Sequence, residues 1–397
     1  MADKAANSFA EEKIILSMLS GMWKSRCLNV IVSLGIPELL CESSGSVSIQ
    51  NIAEKTGCRT DEQLYIIMRA MAQWGIGEEI VGEKRFKANR HMQLLRRDKG
   101  PSLGHMVGYH TSDEMWTAMF DFPEAVKTGN TAFELAHGMN LFDYMFKVQS
   151  SEYCPGKLKS VNVMGGIGSS QRRRELAENY NHAMPILSQL DLLSAQPNVL
   201  SVYRWDKSKR IMDIGGGKGE FLASILKMPG CEHIHGLLFE FPDVLEHAKQ
   251  FLAVEGIPAH RVTFIAGDIL TDTLQIKEVD TIIIKNLFFM LEEEGMIKVL
   301  ERCSGVLAKG GKFVIVNSCN PEAGDTEHNV TKTGLQPAFS RGILIMTCHK
   351  QGGFKTMSES LSLIDRLCTR VAFRLNQVFE TGDGPTLFEL YKCDKNV

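Results

Sequence analysis

Between Glu11 and Leu40 apolar residues recur at three-and-four spacing: Ile14, Ile15, Met18, Leu19, Met22 and Trp23, then Leu28, Val30, Ile31 and Leu34. That period predicts a helix. Gly35-Ile36-Pro37 interrupts it, and Pro37 suits the first turn of a new helix. Ser48 to Gly57 fits a short helix closed by Gly57, and a second helix is expected from about Asp61 to Trp74. Gly77 to Phe86 then reads as a small hairpin. Helix, turn, helix, hairpin is the winged-helix pattern. Residues 100–200 alternate helical stretches with glycine-bearing loops. One loop, Gly165-Gly166-Ile167-Gly168-Ser169-Ser170, follows no apolar strand and reads as a flexible connector. Arg172-Arg173-Arg174, beside Glu175 and Glu178, reads as a solvated helix face.

From residue 210 the rhythm changes. Strands are expected at Arg210–Ile214, Ile234–Phe239, Val262–Ala266, Val279–Ile284 and Lys312–Val316. Helices are expected through Leu226, over Asp243–Val254 and over Glu293–Leu307, with a closing strand pair near Val371–Tyr391. Near-continuous apolar strands between helices predict a doubly wound α/β domain, its parallel sheet covered on both faces. The expected division is a winged-helix part over 1–125, a helical connector over 126–200 and a sheet domain over 201–397.

Composition narrows the function classes. The 397 residues carry a formal net charge of -3, which argues against a nucleic-acid partner. The residues opening the second winged-helix helix, Thr60, Asp61, Glu62 and Gln63, include two carboxylates that would repel phosphate. Dimerisation or substrate capping is the better expectation for that part. No apolar run approaches the ~18 residues of a membrane span, and Met1-Ala2-Asp3-Lys4 opens no signal segment, so a cytoplasmic location is expected. The ten cysteines form no C-x-x-C pair and no zinc spacing, so no metal is expected and they read as reduced small hydrophobes.

Ligands of such sheets bind at the carboxyl ends of the strands. Four successive strands deliver candidates there: the loop Asp213-Ile214-Gly215-Gly216-Gly217-Lys218-Gly219, then Glu240, Asp268 with Ile269, and Lys285. The loop's G-x-G-x-G spacing differs from the nicotinamide fingerprint and is a weak signal by itself, but it lets the backbone approach a ligand closely. Glu240, 21 residues beyond Gly219, is placed to accept hydrogen bonds from ribose hydroxyls, and Asp268 to meet an adenine amino group. Each acid alone also suits a solvated loop; together they predict a nucleoside site.

These motifs, with Gly236-Leu237-Leu238-Phe239-Glu240-Phe241-Pro242, Gly267-Asp268, Gly310-Gly311 and Leu34-Gly35-Ile36-Pro37-Glu38-Leu39-Leu40, resemble the S-adenosylmethionine-dependent small-molecule O-methyltransferases of plants and fungi. The resemblance covers nearly the whole chain. It implies S-adenosyl-L-methionine as cofactor, held by Asp213, Gly215, Gly217, Gly219, Glu240, Asp268, Ile269 and Lys285. It also implies a class I methyltransferase (Rossmann-like) fold behind a winged-helix dimerisation domain, and a homodimer.

In that family the segment after the fourth strand carries Leu-Lys, three residues, then His-Asp-Trp, and the histidine is the general base. Here Phe289, Met290 and Leu291 stand at those three positions. A phenyl ring cannot take a proton, and losing a general base costs ~10²–10⁴-fold in rate. His137 and His182 are the candidate replacements, each of which also suits a structural role. The combination resembles the fungal O-methyltransferase-like pericyclases of 2-pyridone alkaloid biosynthesis. That resemblance implies a pericyclase or dehydratase in which the sulfonium and Lys285 act electrostatically on a small apolar polyketide-like substrate. Phe289, Met290 and Met346 would form the wall of its pocket. The alternatives are a genuine O-methyltransferase with another base, and a non-catalytic dimeric binding protein.

Overall fold

A computed structural model describes residues 2–147, 170–193, 197–320, 322, 347–348, 355–381 and 384–393. They form two compact units. One comprises residues 1–121 and 136–186, the other 122–135 and 187–397. The connector expected over 126–200 is therefore no unit of its own; most of it belongs to the first unit. The connector loop expected over 165–170 lies, save its last residue, outside the described residues.

The first unit opens with the helix Ala2–Ser33, longer than the period predicts. The helices Ile36–Glu42, Ile49–Thr56 and Asp61–Gln73 follow. Strands β1 (Val47–Ser48), β2 (Glu78–Ile80) and β3 (Arg85–Lys87) form an antiparallel sheet in the order β1-β3-β2, which completes the winged helix. Its boundaries follow from local chemistry. The Ser48 side chain caps the helix by accepting from the Asn51 amide at 3.3 Å, and Gly57 ends it at a φ of 73° that other residues rarely adopt. Ile31, Ile36, Leu40, Ile49, Ile52, Leu64, Met68 and Phe86 fill the core.

The first helix shows what the period means. Ile15, Leu16, Met18, Leu19, Met22 and Trp23 remain more than half exposed, so their stripe is an apolar face the chain itself leaves uncovered. The arginine triplet departs from expectation. Arg173 is buried over the Tyr144 ring, and Arg172 Nη1 donates to Asp113 Oδ2 at 2.6 Å.

The second unit holds a seven-stranded sheet of β4 (Arg210–Ile214), β5 (His235–Glu240), β6 (Val262–Ala266), β7 (Val279–Lys285), β8 (Leu307–Asn317), β9 (Phe373–Phe379) and β10 (Thr386–Lys392). Its order is β6-β5-β4-β7-β8-β10-β9. The first five strands are parallel, and β10 pairs antiparallel with both β8 and β9. This is the expected α/β class. Strand order reverses beside β4, which makes the carboxyl end of β4 a ligand crevice. Met212, Ile214, Ile282 and Ile284 pack one face of the sheet, and Ile211, Leu238, Ile283 and Val314 the other. The helix Met357–Cys368 also packs on this unit; it carries a complete capping box from Thr356 and Glu359.

Candidate functional site

The carboxyl edge of β6, β5, β4 and β7 brings the predicted acids, glycines and lysine together. Gly215, Gly217 and Gly219 all have positive φ, so the loop needs glycine at each. A Cβ on Gly216 would run into Asp213 Oδ2 and, at 2.7 Å, into Leu238 Cδ1. One on Gly215 would meet Leu287 Cδ2 at 2.6 Å, so the turn after β7 packs directly on this loop.

Each acid has its own environment. Glu240 Oε2 accepts from the Gly217 amide at 3.0 Å and Oε1 from the Phe241 amide at 2.8 Å. Each oxygen keeps a lone pair for a further donor. Burial raises the Glu240 pKa. Asp268 Oδ1 accepts from the Leu270 amide at 2.8 Å and shapes the turn beyond β6, while its own amide donates to Asp272. Ile269 beside it is buried in the core, and its carbonyl accepts from Arg302.

Asp213 lies inside β4, within the strand expected over Arg210–Ile214; it is fully buried, and neither carboxylate oxygen has a hydrogen-bond partner. Burial pushes its pKa up to about 7 against the opposing pull of Lys285. Glu220, just past Gly219, is also buried and has an unpartnered Oε1; burial raises its pKa too. Orphaned buried carboxylates are rare and each asks for a reason. A ligand carrying a cationic group fits them.

Lys285 ends β7 and is nearly buried. Its Nζ donates to Asp191 Oδ2 at 3.1 Å and to Ser188 Oγ at 3.3 Å. Asn286 adopts a φ of 55°, and its Nδ2 donates to the same Asp191 oxygen at 2.9 Å. Lys285, expected to supply a hydrogen bond or a charge near the reacting atoms or to support the cofactor, is paired with Asp191. Phe289 sits in a short helical turn, buried, with ring centroids 5.7 Å from Phe288 and 6.0 Å from Phe388. It is a core residue first, and little of its ring is left to line a pocket. Met290 beside it is half-buried, and Met346 lies outside the described residues.

The two histidines belong to the first unit. His137 is buried, its Nε2 donates to the Glu114 carbonyl at 3.0 Å, and its ring lies 5.3 Å from Tyr144. Burial lowers its pKa. His182 Nδ1 donates to the Glu178 carbonyl at 2.9 Å, and its ring stacks on His105 at 4.5 Å. These contacts suit a structural role for both rings. Asp191, Ser188, Asn286 and Glu220 escaped the sequence reading. Glu220 alone had a local signal, its place directly after the glycine loop.

Residues 160–394 match the family model of the O-methyltransferase domain, and residues 16–92 that of the O-methyltransferase dimerisation domain. The chain belongs to the O-methyltransferase family. It is 25% identical to the mitomycin biosynthesis 6-O-methyltransferase of Streptomyces lavendulae over 79% of each chain. It is likewise 25% identical to the phenazine O-methyltransferase PhzM of Lysobacter antibioticus, over 95% of each. Among solved structures it resembles the mitomycin 7-O-methyltransferase MmcR with a TM-score of 0.77 at 22% identity, covering 98% of this chain and 100% of that one. Human N-acetylserotonin methyltransferase, solved with its S-adenosylmethionine, gives 0.73 at 16% identity, covering 97% and 98%. The class I methyltransferase fold and the cofactor S-adenosylmethionine stand with the family. The pericyclase or dehydratase expectation does not: these relatives are methyltransferases, which favours the alternative of genuine methyl transfer. Nor does any of these likenesses point to a fungal pathway. Among the described residues no helix is long and apolar enough to cross a membrane.

Proposed function

We propose that the protein transfers the methyl group of S-adenosylmethionine to a hydroxyl or amine on a small, largely apolar ring compound that needs no histidine base. The observation that carries this is Phe289. A buried phenyl ring packed on Phe288 and Phe388 occupies the family's histidine position, beside a glycine loop and acids that are otherwise intact. An acceptor already ionised at working pH, or a ring amine with a free lone pair, removes the need for proton abstraction before attack. The names of the relatives support ring acceptors of both kinds. They include a phenazine O-methyltransferase, a phenazine-1-carboxylate N-methyltransferase and an anthranilate N-methyltransferase.

The residues divide the work. Glu240 would take the ribose hydroxyls and Asp268 the adenine amino group, at the ends of neighbouring strands. The positive-φ glycines let the backbone pass close beneath the cofactor. Bound there, the cofactor supplies an electrophilic methyl group. Asp191 holds Lys285 and Asn286 in place behind it. Rate then comes from orientation and exclusion of water more than from proton transfer.

The exposed stripe Ile15, Leu16, Met18, Leu19, Met22 and Trp23 lies in the segment matching the dimerisation domain, and we assign it to a homodimer contact. Size-exclusion chromatography with light scattering should give twice the 44.2 kDa chain mass. A monomer with that stripe intact contradicts the assignment.

The decisive assay incubates the protein with S-adenosylmethionine and a panel of hydroxyphenazines, hydroxyquinones and aminobenzoates. The expected outcome is a methylated product and S-adenosylhomocysteine in equal amounts, with a pH–rate profile that follows the acceptor's own ionisation. An isomerised or dehydrated product with the cofactor unspent would restore the pericyclic reading. Cofactor binding with no turnover of any compound would leave a binding protein.

A further inference from the structure

β4 begins at Arg210 and ends at Ile214, beside the glycine loop. At a strand rise of roughly 3.3 Å per residue, its two ends lie roughly 13 Å apart. The cofactor edge is at the second end. At the first, a cavity of about 740 Å³ lies within the second unit, between the segment leading into β7 and the helix Glu293–Val306. Sites for small molecules commonly measure about 300–1,000 Å³.

The floor of this cavity is apolar and its rim is basic. Leu274 and Val306 are buried in the core beneath it, and Ile276 packs against the same core. Arg210, Lys277 and Arg302 stand around that floor, with Glu301 as the acid among them. Elsewhere in the unit Arg204, Arg366 and Arg370 each have a carboxylate partner. Among the described residues the three basic groups of the rim have none. Arg210 Nη1 donates to the Lys277 carbonyl at 2.6 Å and to the Glu278 carbonyl at 3.4 Å, and Arg302 Nη1 donates to the Ile269 carbonyl. Each guanidinium has donors on its other nitrogens as well.

Gly305 is a second, independent pointer. It lies inside the helix Glu293–Val306 without a positive φ, so its backbone does not require glycine, and glycine weakens a helix interior. A Cβ there would meet nothing within 4 Å, so the missing side chain leaves room on the cavity wall. We propose that this cavity is a second binding site, for a small apolar molecule carrying one carboxylate. Its apolar body would rest on Leu274, Ile276 and Val306, and its carboxylate would meet the basic rim. A guanidinium fork matches a carboxylate in shape as well as in charge. The site lies at the opposite end of β4 from the glycine loop, so its occupant is neither the cofactor nor the methyl acceptor.

The test titrates the full chain with 2-naphthoate and with its uncharged counterpart, 2-naphthamide. Methyl NMR reads the site locally, because Ile276 lines the cavity while Ile15 lies on the exposed stripe of the first helix. With 2-naphthoate the Ile276 methyl signal should shift and saturate while that of Ile15 stays still. 2-Naphthamide should bind about tenfold more weakly at Ile276. Lys277→Glu changes an exposed residue, and should weaken 2-naphthoate about tenfold while leaving 2-naphthamide as it was. Gly305→Leu should abolish the Ile276 shift with both probes. That variant should melt no lower than the wild type, because a helical glycine gives way to a better helix former. An unmoved Ile276, equal binding of the two probes, indifference to Lys277→Glu, or binding that survives Gly305→Leu overturns the proposal. So does a lower melting temperature for Gly305→Leu, which would mean that the space beside Gly305 is not open.

Discussion

Two stretches of one sheet edge, β5–β4 and the turn after β7, treat their polar atoms in opposite ways. At β4 and the helix Glu220–Leu226, three carboxylate oxygens of Asp213 and Glu220 are buried and unmatched. At the end of β7, Lys285 and Asn286 share Asp191 Oδ2, and Phe289 beside them is packed like any core ring. The first stretch is built to be completed by something else. The second is more nearly complete: its charges are paired, and Asn286 Oδ1 is its one buried atom without a partner among the described residues. A site that binds a charged cofactor and then orients an apolar acceptor needs both kinds of wall. The difference also accounts for the missing histidine: a self-satisfied aromatic turn holds shape but moves no proton.

The comparison breaks most readily at Asp191. Asp191→Ala removes one partner of a pair whose side chains are 4% and 10% exposed, and leaves the Lys285 ammonium with only the neutral Ser188 Oγ and the Asn286 amide without its carboxylate. Breaking a buried pair on one side costs about 3–5 kcal/mol. Urea denaturation of the variant should show a loss of that order. A loss below about 1 kcal/mol would mean that solvent already screens the pair, and that the turn after β7 is less closed than the β4 stretch rather than more.

Glu240→Ala comes next, because Glu240 belongs to the β5–β4 stretch yet is hydrogen-bonded. The substitution strips acceptors from the Gly217 and Phe241 amides and deletes the ribose acceptor. About 1–3 kcal/mol of S-adenosylmethionine affinity should go with them, measured by calorimetry. Unchanged affinity would place the nucleoside elsewhere along the edge.

The contrast between the stretches also marks what sequence can carry. Strands β4 to β7 were readable because each is a short apolar run between helices, and Glu240 and Lys285 fall on their last residues. The substitution of Phe289 for histidine was readable by register from Lys285. Asp191 was not, because nothing local links it to a lysine 94 positions away; only the fold brings them within 3.1 Å. The state of Asp213 was hidden for the same reason. Its place before the glycines marked it as important, but its lack of partners is a property of everything packed around it. The helix Met357–Cys368 follows a stretch without clear periodicity and went unread despite its capping box. In the first unit the stripe on the helix Ala2–Ser33 was readable as helical spacing but not as an exposed face, since the same period serves a buried face and one kept for a partner.

The finest distinction within the turn after β7 is between the two oxygens that Lys285 meets. Asp191 Oδ2 is charged and 3.1 Å away; Ser188 Oγ is neutral and 3.3 Å away, near the long end of useful hydrogen bonds. Both lie within one turn of the same helix, so a substitution at either disturbs the same packing. Ser188→Ala should therefore cost no more than about 1 kcal/mol of stability, because Lys285 keeps its carboxylate. Affinity for S-adenosylmethionine should hardly move. A loss approaching that of Asp191→Ala would show that the serine, not the ion pair, positions Lys285, and that this side of the edge is held by neutral hydrogen bonding rather than by charge.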